Sequence, residues 1–341
     1  MVDRPTIADL AQKAGVSVAT VDRVINRRLP VKSDTAQRVM SAAEAIGFHA
    51  AGLLKKRVAE LPKRRIGLLL QKRDTFYQAF GRALLTAANQ NNEMETKPIL
   101  EFMEEVSPGY VASRILEMAP RADAMAVVAM EHPTVIQALE KIAEKKKPVF
   151  SLLSPVLNIA CSGHLGLDGR KLGRIAGWTI SRMAKTPGKI CILVGSHGYI
   201  NQDMAEISFR GYMRERAPAF ELLEPIVNLD DSDLAYKAVS ATIARHQDLV
   251  AVYVCGGGQD GLIKALRECP PGRHPVAVCN ELTPNIRQAL SDGIVDLALA
   301  TPVEALSRQL MHQIAKACAT QGALHFPPVY APPDIYVAEN I

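Results

Sequence analysis

From Arg65 onward, short apolar runs alternate with amphipathic helical stretches. This alternation restricts the body of the chain to parallel sheets flanked by helices, because a parallel strand can be reached only through a crossover. Strands are predicted at 66–71, 124–130, 148–153, 189–195, 249–255 and 275–280, runs apolar enough to be buried on both faces, with weaker ones near 96–102, 222–229 and 296–300. Helices are predicted at 76–92, 108–118, 133–146, 170–184, 203–216, 234–245, 259–268, 284–291 and 303–319. So many units exceed one small sheet. The economical arrangement is two doubly wound lobes with a cleft at the carboxyl ends of their strands, where such sheets bind ligands. The expected limits are about 65–160 plus 284–318 for the first lobe and about 161–283 plus 319–341 for the second.

The residues before this body follow a different rule. In the segment 6–26, TIADLAQKAGVSVATVDRVIN, Thr6 and Asp9 form the start of a capping box, and Ile7, Leu10, Ala11 and Ala14 share one helical face before Gly15 ends the helix. Ser17 can cap a second helix in which Val21, Val24 and Ile25 point inward, leaving Val18, Ala19, Asp22 and Arg23 outside. Two short helices joined by a glycine turn form a helix-turn-helix, which lays the exposed face of its second helix in the DNA major groove. A third helix is expected from Ser33, with Val39, Ala43 and Ile46 at helical spacing and Gly47 as its stop. The all-α head therefore spans 1–47. Residues 48–64, with Gly52, Pro62 and only a small apolar patch, read as a hinge whose short helix is marginal by itself.

Charge agrees with this division. Residues 1–65 carry 13 Lys+Arg against 6 Asp+Glu, a net +7, while the remainder is net −2. A basic head on a near-neutral body suits a polyanion, and the helix pair selects DNA over a membrane surface. The amino terminus has no apolar core of an export signal, and no apolar run is long enough to span a bilayer, so a cytoplasmic location and no membrane partner are expected. Cys161, Cys191, Cys255, Cys269, Cys279 and Cys318 are scattered and read as reduced core thiols rather than a disulfide framework or a metal site.

The pattern T-I-x-D-x-A-x-x-A-G-V-S-x-x-T-V-x-R-V-x-N, matched by Thr6, Ile7, Asp9, Ala11, Ala14, Gly15, Val16, Ser17, Thr20, Val21, Arg23, Val24 and Asn26, resembles the head of the lac-repressor family of bacterial transcription regulators, and the body resembles that family's periplasmic-binding-protein type effector domain. The resemblance implies that Val18, Ala19 and Arg23 face bases and that Thr6, Ser17, Thr20 and Asn26 contact phosphates. It implies a double-stranded DNA operator, a homodimer or a tetramer built on it, and a small effector bound between the lobes. Three positions depart from the pattern. Asp22 stands where the family carries Ser, and its carboxylate either accepts from cytosine N4 or orients Arg23. The family hinge N-x-x-A-R-S-L aligns with Ala51–Arg57, so either Leu53 or Leu54 wedges into the minor groove, or Arg57, beside Lys55, enters it electrostatically. The family's ligand-clamping Arg corresponds to Ala205 or Ser208, with Arg210 nearby at a structural position.

Cleft candidates follow from strand ends. Asp74, Phe76 and Tyr77 come after the first strand, His132 after the third, and Asn280 with Glu281 at the end of PVAVCN, while the resemblance implies that Asp168, at the family's V-x-x-D position, stands where the chain crosses between lobes. Carboxylates beside aromatic rings suit a polyhydroxylated ligand, the ring covering C–H groups and the carboxylates accepting O–H bonds. Phe76 and Tyr77 have packing of the first body helix as their alternative role, His132 a turn or helix start, and Asp168 a helix N-cap. Without the clamping Arg, a neutral or cationic ligand is expected, with a monosaccharide or polyol ahead of a sugar acid or sugar phosphate. The run GGGQDG (256–261) lacks G-x-G-x-x-G spacing and an acidic ribose partner, and no catalytic constellation, metal spacing or cofactor site is legible. The expected function is a ligand-controlled repressor. A soluble sugar receptor or a sugar-acting enzyme is the alternative.

Overall fold

The computed structural model describes all residues except 1–4, 27–30, 32, 50, 52–60, 72–73, 157–160, 271 and 323. The hinge candidates Leu53, Leu54, Lys55 and Arg57, and the basic pair Lys72 and Arg73, lie outside the described residues. The chain divides into one compact unit of 1–63 with 92–95 and a second made of the rest.

In the first unit, α1 (Ile7–Ala14), α2 (Val18–Asn26) and α3 (Ser33–Ala45) form the expected head. The Thr6 N–H donates to Asp9 Oδ2 at 2.8 Å and the Asp9 N–H to Thr6 Oγ1 at 3.3 Å, which completes the capping box. Gly15 takes the left-handed conformation that ends α1 (φ +64), and the Val16 N–H reaches back to the Ala11 carbonyl at 3.0 Å. Arg38 of α3 donates to the carbonyls of Ala14 and Gly15, so the end of α1 is closed by a side chain from another helix. Leu10, Val21, Val39, Ala43 and Phe48 fill the core.

The body holds two sheets. The first has the order β12-β5-β4-β3-β1-β2, from β1 (Lys63–Leu70), β2 (Glu95–Phe102), β3 (Ala124–Val127), β4 (Val149–Leu153), β5 (Gly163–Leu167) and β12 (Val329–Ala331). Strand β1 runs parallel to β3, with Ile66 opposite Ala124. Helices α5 (Pro108–Met118) and α6 (Pro133–Ala143) cover one face, setting Val111, Ile115, Val135 and Leu139 on Leu69, Met125 and Val127. Helix α4 (Thr75–Asn89) packs against α12 (Val303–Ala319).

The second sheet has the order β13-β11-β10-β9-β6-β7, with β8 also on β6. It comprises β6 (Lys189–Val194), β7 (Glu221–Leu222), β8 (Ile226–Val227), β9 (Leu249–Val254), β10 (Val276–Asn280), β11 (Leu297–Ala300) and an antiparallel edge, β13 (Asp334–Tyr336). Helices α7 (Gly169–Met183) and α8 (Ile200–Arg216) lie on one face. Helices α9 (Ser232–Arg245), α10 (Gln259–Arg267) and α11 (Pro284–Ser291) lie on the other. Gly169, Gly173 and Gly177 let α7 approach α8 closely. A Cβ on Gly173 would fall 2.1 Å from the Ala205 carbonyl oxygen and 2.7 Å from the Phe209 nitrogen.

Sheet membership corrects the expected lobe limits. Strand β5 pairs with β4 in the first sheet, so the first crossing between lobes comes at Asp168 rather than near 160. Helix α11 and strand β11 belong to the second lobe, because β11 pairs with β10 and α11 packs in that lobe's core. The chain returns at Thr301–Pro302 rather than at 284, and β12 then adds to the first sheet before β13 adds to the second. The cause is local. The sequence Gly163-His164-Leu165-Gly166-Leu167 has little β propensity, yet all five residues are buried between their neighbours.

Candidate functional site

Two regions carry chemistry. On the head, Ser17, Val18, Ala19, Arg23 and Asn26 are exposed on or just before α2, with Thr20 and Asp22 half-buried beside them and Thr6 exposed at the start of α1. Ser17 Oγ accepts from the Thr20 N–H at 3.1 Å, so the residue that caps α2 also stands at the tip of its exposed face. Asn26 donates to Asp22 Oδ1 at 2.6 Å, an i,i+4 bond that orients the Asp22 carboxylate along the helix. The Thr6 hydroxyl is engaged with Asp9 Oδ2 at 2.7 Å.

In the body, the cleft is built at the carboxyl ends of β1, β6, β8, β9 and β10. Gln71, at the end of β1, accepts from the Tyr77 hydroxyl at 3.1 Å and donates to the Tyr199 hydroxyl, so one buried amide joins aromatic groups from both lobes. Two further bonds hold the lobes together there: the Glu131 N–H to the Gly198 carbonyl at 2.8 Å, and the Asn201 N–H to Ser154 Oγ at 3.3 Å. Burial, with the acidic groups Tyr199, Asp230, Asp74 and Glu281 around it, raises the Tyr77 hydroxyl well above its ordinary pKa.

Glu281 follows β10 in the left-handed conformation (φ +65), which turns its side chain to accept from the Thr301 N–H at 2.9 Å and the Thr301 hydroxyl at 2.6 Å. The residue is half-buried as a whole while its carboxyl is enclosed, and that enclosure pushes the carboxyl pKa up to about 7. Asn280 donates to the Cys255 carbonyl at 2.6 Å and leaves its buried Oδ1 with no partner. Gln259 donates to the Asn280 carbonyl at 3.0 Å and locks this strand end.

Asp230 was not among the sequence candidates. It follows two-residue β8 with φ +55, accepts from the Gly257 N–H at 2.5 Å, and is raised in pKa by burial against bonds from Gly257 and Gln202. The Gly256–Gly258 run makes room for it, since a Cβ on Gly257 would lie 2.8 Å from the Asp230 Cβ, and one on Gly195 would lie 1.9 Å from Asp230 Oδ1. These glycines therefore serve a side chain. Tyr199, Gln71 and Thr301 were missed as well; Gln71 and Thr301 directly follow β1 and β11, where the strand-end rule that found Glu281 would have found them, whereas Tyr199 lies beyond the turn after β6, at the N-cap of α8.

The other expected residues are helix caps or rim groups. Asp74 accepts from the Tyr77 N–H at 2.8 Å and caps α4; Phe76 packs edge-on to Tyr77 at 5.1 Å and against Phe80 at 6.0 Å. His132 Nδ1 accepts from the Thr134 N–H at 3.2 Å, and Asp168 accepts from the Arg170 N–H at 3.0 Å. Asp168→Asn should then preserve stability, while Asp168→Ala should cost about 1 kcal/mol in a urea titration, because asparagine caps as well as aspartate. A large loss in the Asn variant would show that the charge matters. Arg210 pairs with Glu206 and donates to the Leu223 carbonyl, and Ala205 and Ser208 pack α8 against α7, the Ser208 hydroxyl donating to the Arg170 carbonyl at 2.7 Å. Among the described residues, no cluster that could hold a metal ion is present, and no helix is long and apolar enough to cross a membrane.

Comparison with known proteins adds to this geometry. Residues 66–322 match the periplasmic binding protein domain, and residues 6–50 match the bacterial regulatory proteins of the lacI family. The transcriptional regulator GalS of Salmonella typhimurium is 32% identical over 88 residues, 26% of each chain. The maltose regulon regulatory protein MalI of Vibrio furnissii is 34% identical over 106 residues, 30% of this chain and 71% of that one. The chain thus spans about a quarter of the length of GalS. Among solved structures, an ABC transporter solute binding protein from Agrobacterium vitis bound to α-D-tagatopyranose superposes with a TM-score of 0.70 at 18% identity, covering 81% of this chain and 95% of that one. One from Bacillus halodurans with bound myo-inositol does so with a TM-score of 0.71 at 14% identity, covering 83% and 97%. At these identities the likeness is one of fold.

Proposed function

This chain belongs to the periplasmic binding protein domain family, and from that premise we propose that it is a sequence-specific DNA-binding transcription regulator, a repressor, controlled by a sugar or polyol held between its lobes. The observation that carries the reading is a lacI-family head, complete with its caps and net basic, on a body whose relatives by fold hold small polyhydroxylated molecules. In this reading Val18, Ala19 and Arg23 meet bases, with Thr6, Ser17, Thr20 and Asn26 on phosphates and Asp22 beside Arg23. Tyr77, Asn280 and Glu281 take the ligand, with Asp74 and Phe76 at the rim and His132 and Asp168 as the caps that place it. Because one head spans a half-site, the working form is a homodimer on a near-palindromic operator. The ligand controls DNA only by binding the competent and incompetent forms with different affinity. The reading assigns no catalysis and a cytoplasmic place of action.

Selection of operators from random DNA, followed by a binding titration with and without sugars, tests this directly. A discrete operator whose affinity shifts with one ligand supports the reading; binding that is indifferent to DNA sequence sinks it, and so does turnover of the ligand. Arg23→Ala should cost about 1–3 kcal/mol on that operator and relax preference at one base pair per half-site. An equal loss on random DNA would make Arg23 a phosphate contact.

A further inference from the structure

We infer that the effector carries a protonated amine on a hydroxylated frame, its ammonium seated against the Glu281 carboxylate. The inference rests on the ligand-controlled reading above and concerns the chemistry of that same cleft.

The argument is a balance of donors and acceptors. A hydroxyl both donates and accepts, so a neutral sugar needs a mixed lining. Here acceptors recur at the strand ends. Glu281 receives bonds from the Thr301 N–H and hydroxyl, both neutral donors. Asp230 receives them from the Gly257 N–H and from Gln202, again neutral. The Asn280 Oδ1, one residue before Glu281 on the same strand end, has no donor although the residue is only 9% exposed. The Tyr77 hydroxyl gives its own proton to Gln71, which leaves its oxygen as an acceptor.

Among the described residues no basic side chain bonds to Glu281 or Asp230, and the arginine nearest in sequence to the family's clamp, Arg210, is held by Glu206 and the Leu223 carbonyl. A carboxylate enclosed by neutral donors is expensive to ionise, and an ammonium removes that cost while a hydroxyl does not. Charge-assisted bonds are also about twice as strong as neutral ones. The site therefore selects the amine over the otherwise identical alcohol. Hydroxyls elsewhere on the ligand would satisfy Asn280 Oδ1 and Asp230.

Matched triads test it on the full chain: glucosamine, glucose and glucuronate; galactosamine, galactose and galacturonate; and 1-amino-1-deoxyglucitol, glucitol and gluconate, each by calorimetry. At least one amine should bind about tenfold or more tighter than its alcohol. In Glu281→Gln, its fold checked by circular dichroism, that preference should fall to near unity. An alcohol that binds as tightly as its amine overturns the inference and leaves the sugar-controlled reading standing. Tight binding of an acid overturns it too, and Lys72→Ala and Arg73→Ala would then identify the anion partner. Silence of every amine also overturns it. Failure of the ligand-controlled reading is a different result, an operator affinity that no member of any triad changes.

Discussion

Gly173→Val is expected to destabilise the body by about 3 kcal/mol or more. The glycine lies where α7 crosses α8, and a Cβ there would sit 2.1 Å from the Ala205 carbonyl oxygen and 2.7 Å from the Phe209 nitrogen. Both are backbone atoms inside a helix, so no rotamer change relieves the clash and the helices must separate. Separation would lift α8, with Ala205, Phe209 and Met213, from the core it shares with Leu172, Ala176 and Ile180 of α7. Gly173→Ala should show a smaller loss of the same sign, since its better helix propensity offsets about 1 kcal/mol of the clash. Gly211, on α8 but with nothing within 4 Å of an added Cβ, supplies the control. Gly211→Ala should stabilise by about 0.5–1 kcal/mol. Urea titrations of the three variants decide the matter; equal midpoints for Gly173→Val and wild type would mean that α7 and α8 are not packed as described.

The second large effect is a pH dependence. The Glu281 carboxyl titrates near 7 in the folded protein against an ordinary value of 4.5. Between those values the folded state keeps a proton that the unfolded state has lost. Stability should therefore fall as pH rises from about 4.5 to 7, with the full loss present above it, about 2–3 kcal/mol from this one group. Asp230, also raised by burial, acts in the same direction. Glu281→Gln cannot ionise, so its stability relative to wild type should improve as pH rises through that window, measured by urea titration at pH values on both sides of it. Parallel pH profiles for the two proteins would show that the carboxyl is not enclosed. Glu281→Ala, which removes the acceptor altogether, should abolish effector binding and leave operator binding intact, because the head forms a separate unit.

How far the sequence alone reaches is clearest at particular residues. Thr6 with Asp9, Gly15 and Ser17 specify the head, since capping boxes, left-handed turns and N-caps are settled within a few residues of chain. Buried parallel strands announce themselves as continuous apolar runs, so β1, β4, β6, β9 and β10 were legible. At strand ends the sequence is ambiguous in kind. A side chain that bridges two strand ends and a helix cap call for the same residue types at the same junction, and only the observed bonds separate Glu281, which reaches across to Thr301, from His132 and Asp168, which cap their own helices. Long-range geometry decided the rest. Strand β5, with two glycines and a histidine, is a strand because β4 and β12 flank it, and it moved the first lobe boundary, as the pairing of β11 with β10 moved the second. Asp230, Gln71 and Tyr199 are far apart in the chain and meet only after both sheets are assembled. Local signals carry capping, periodicity and charge; the convergence of acceptors in one cleft is a property of packed strand ends, which no window of sequence contains.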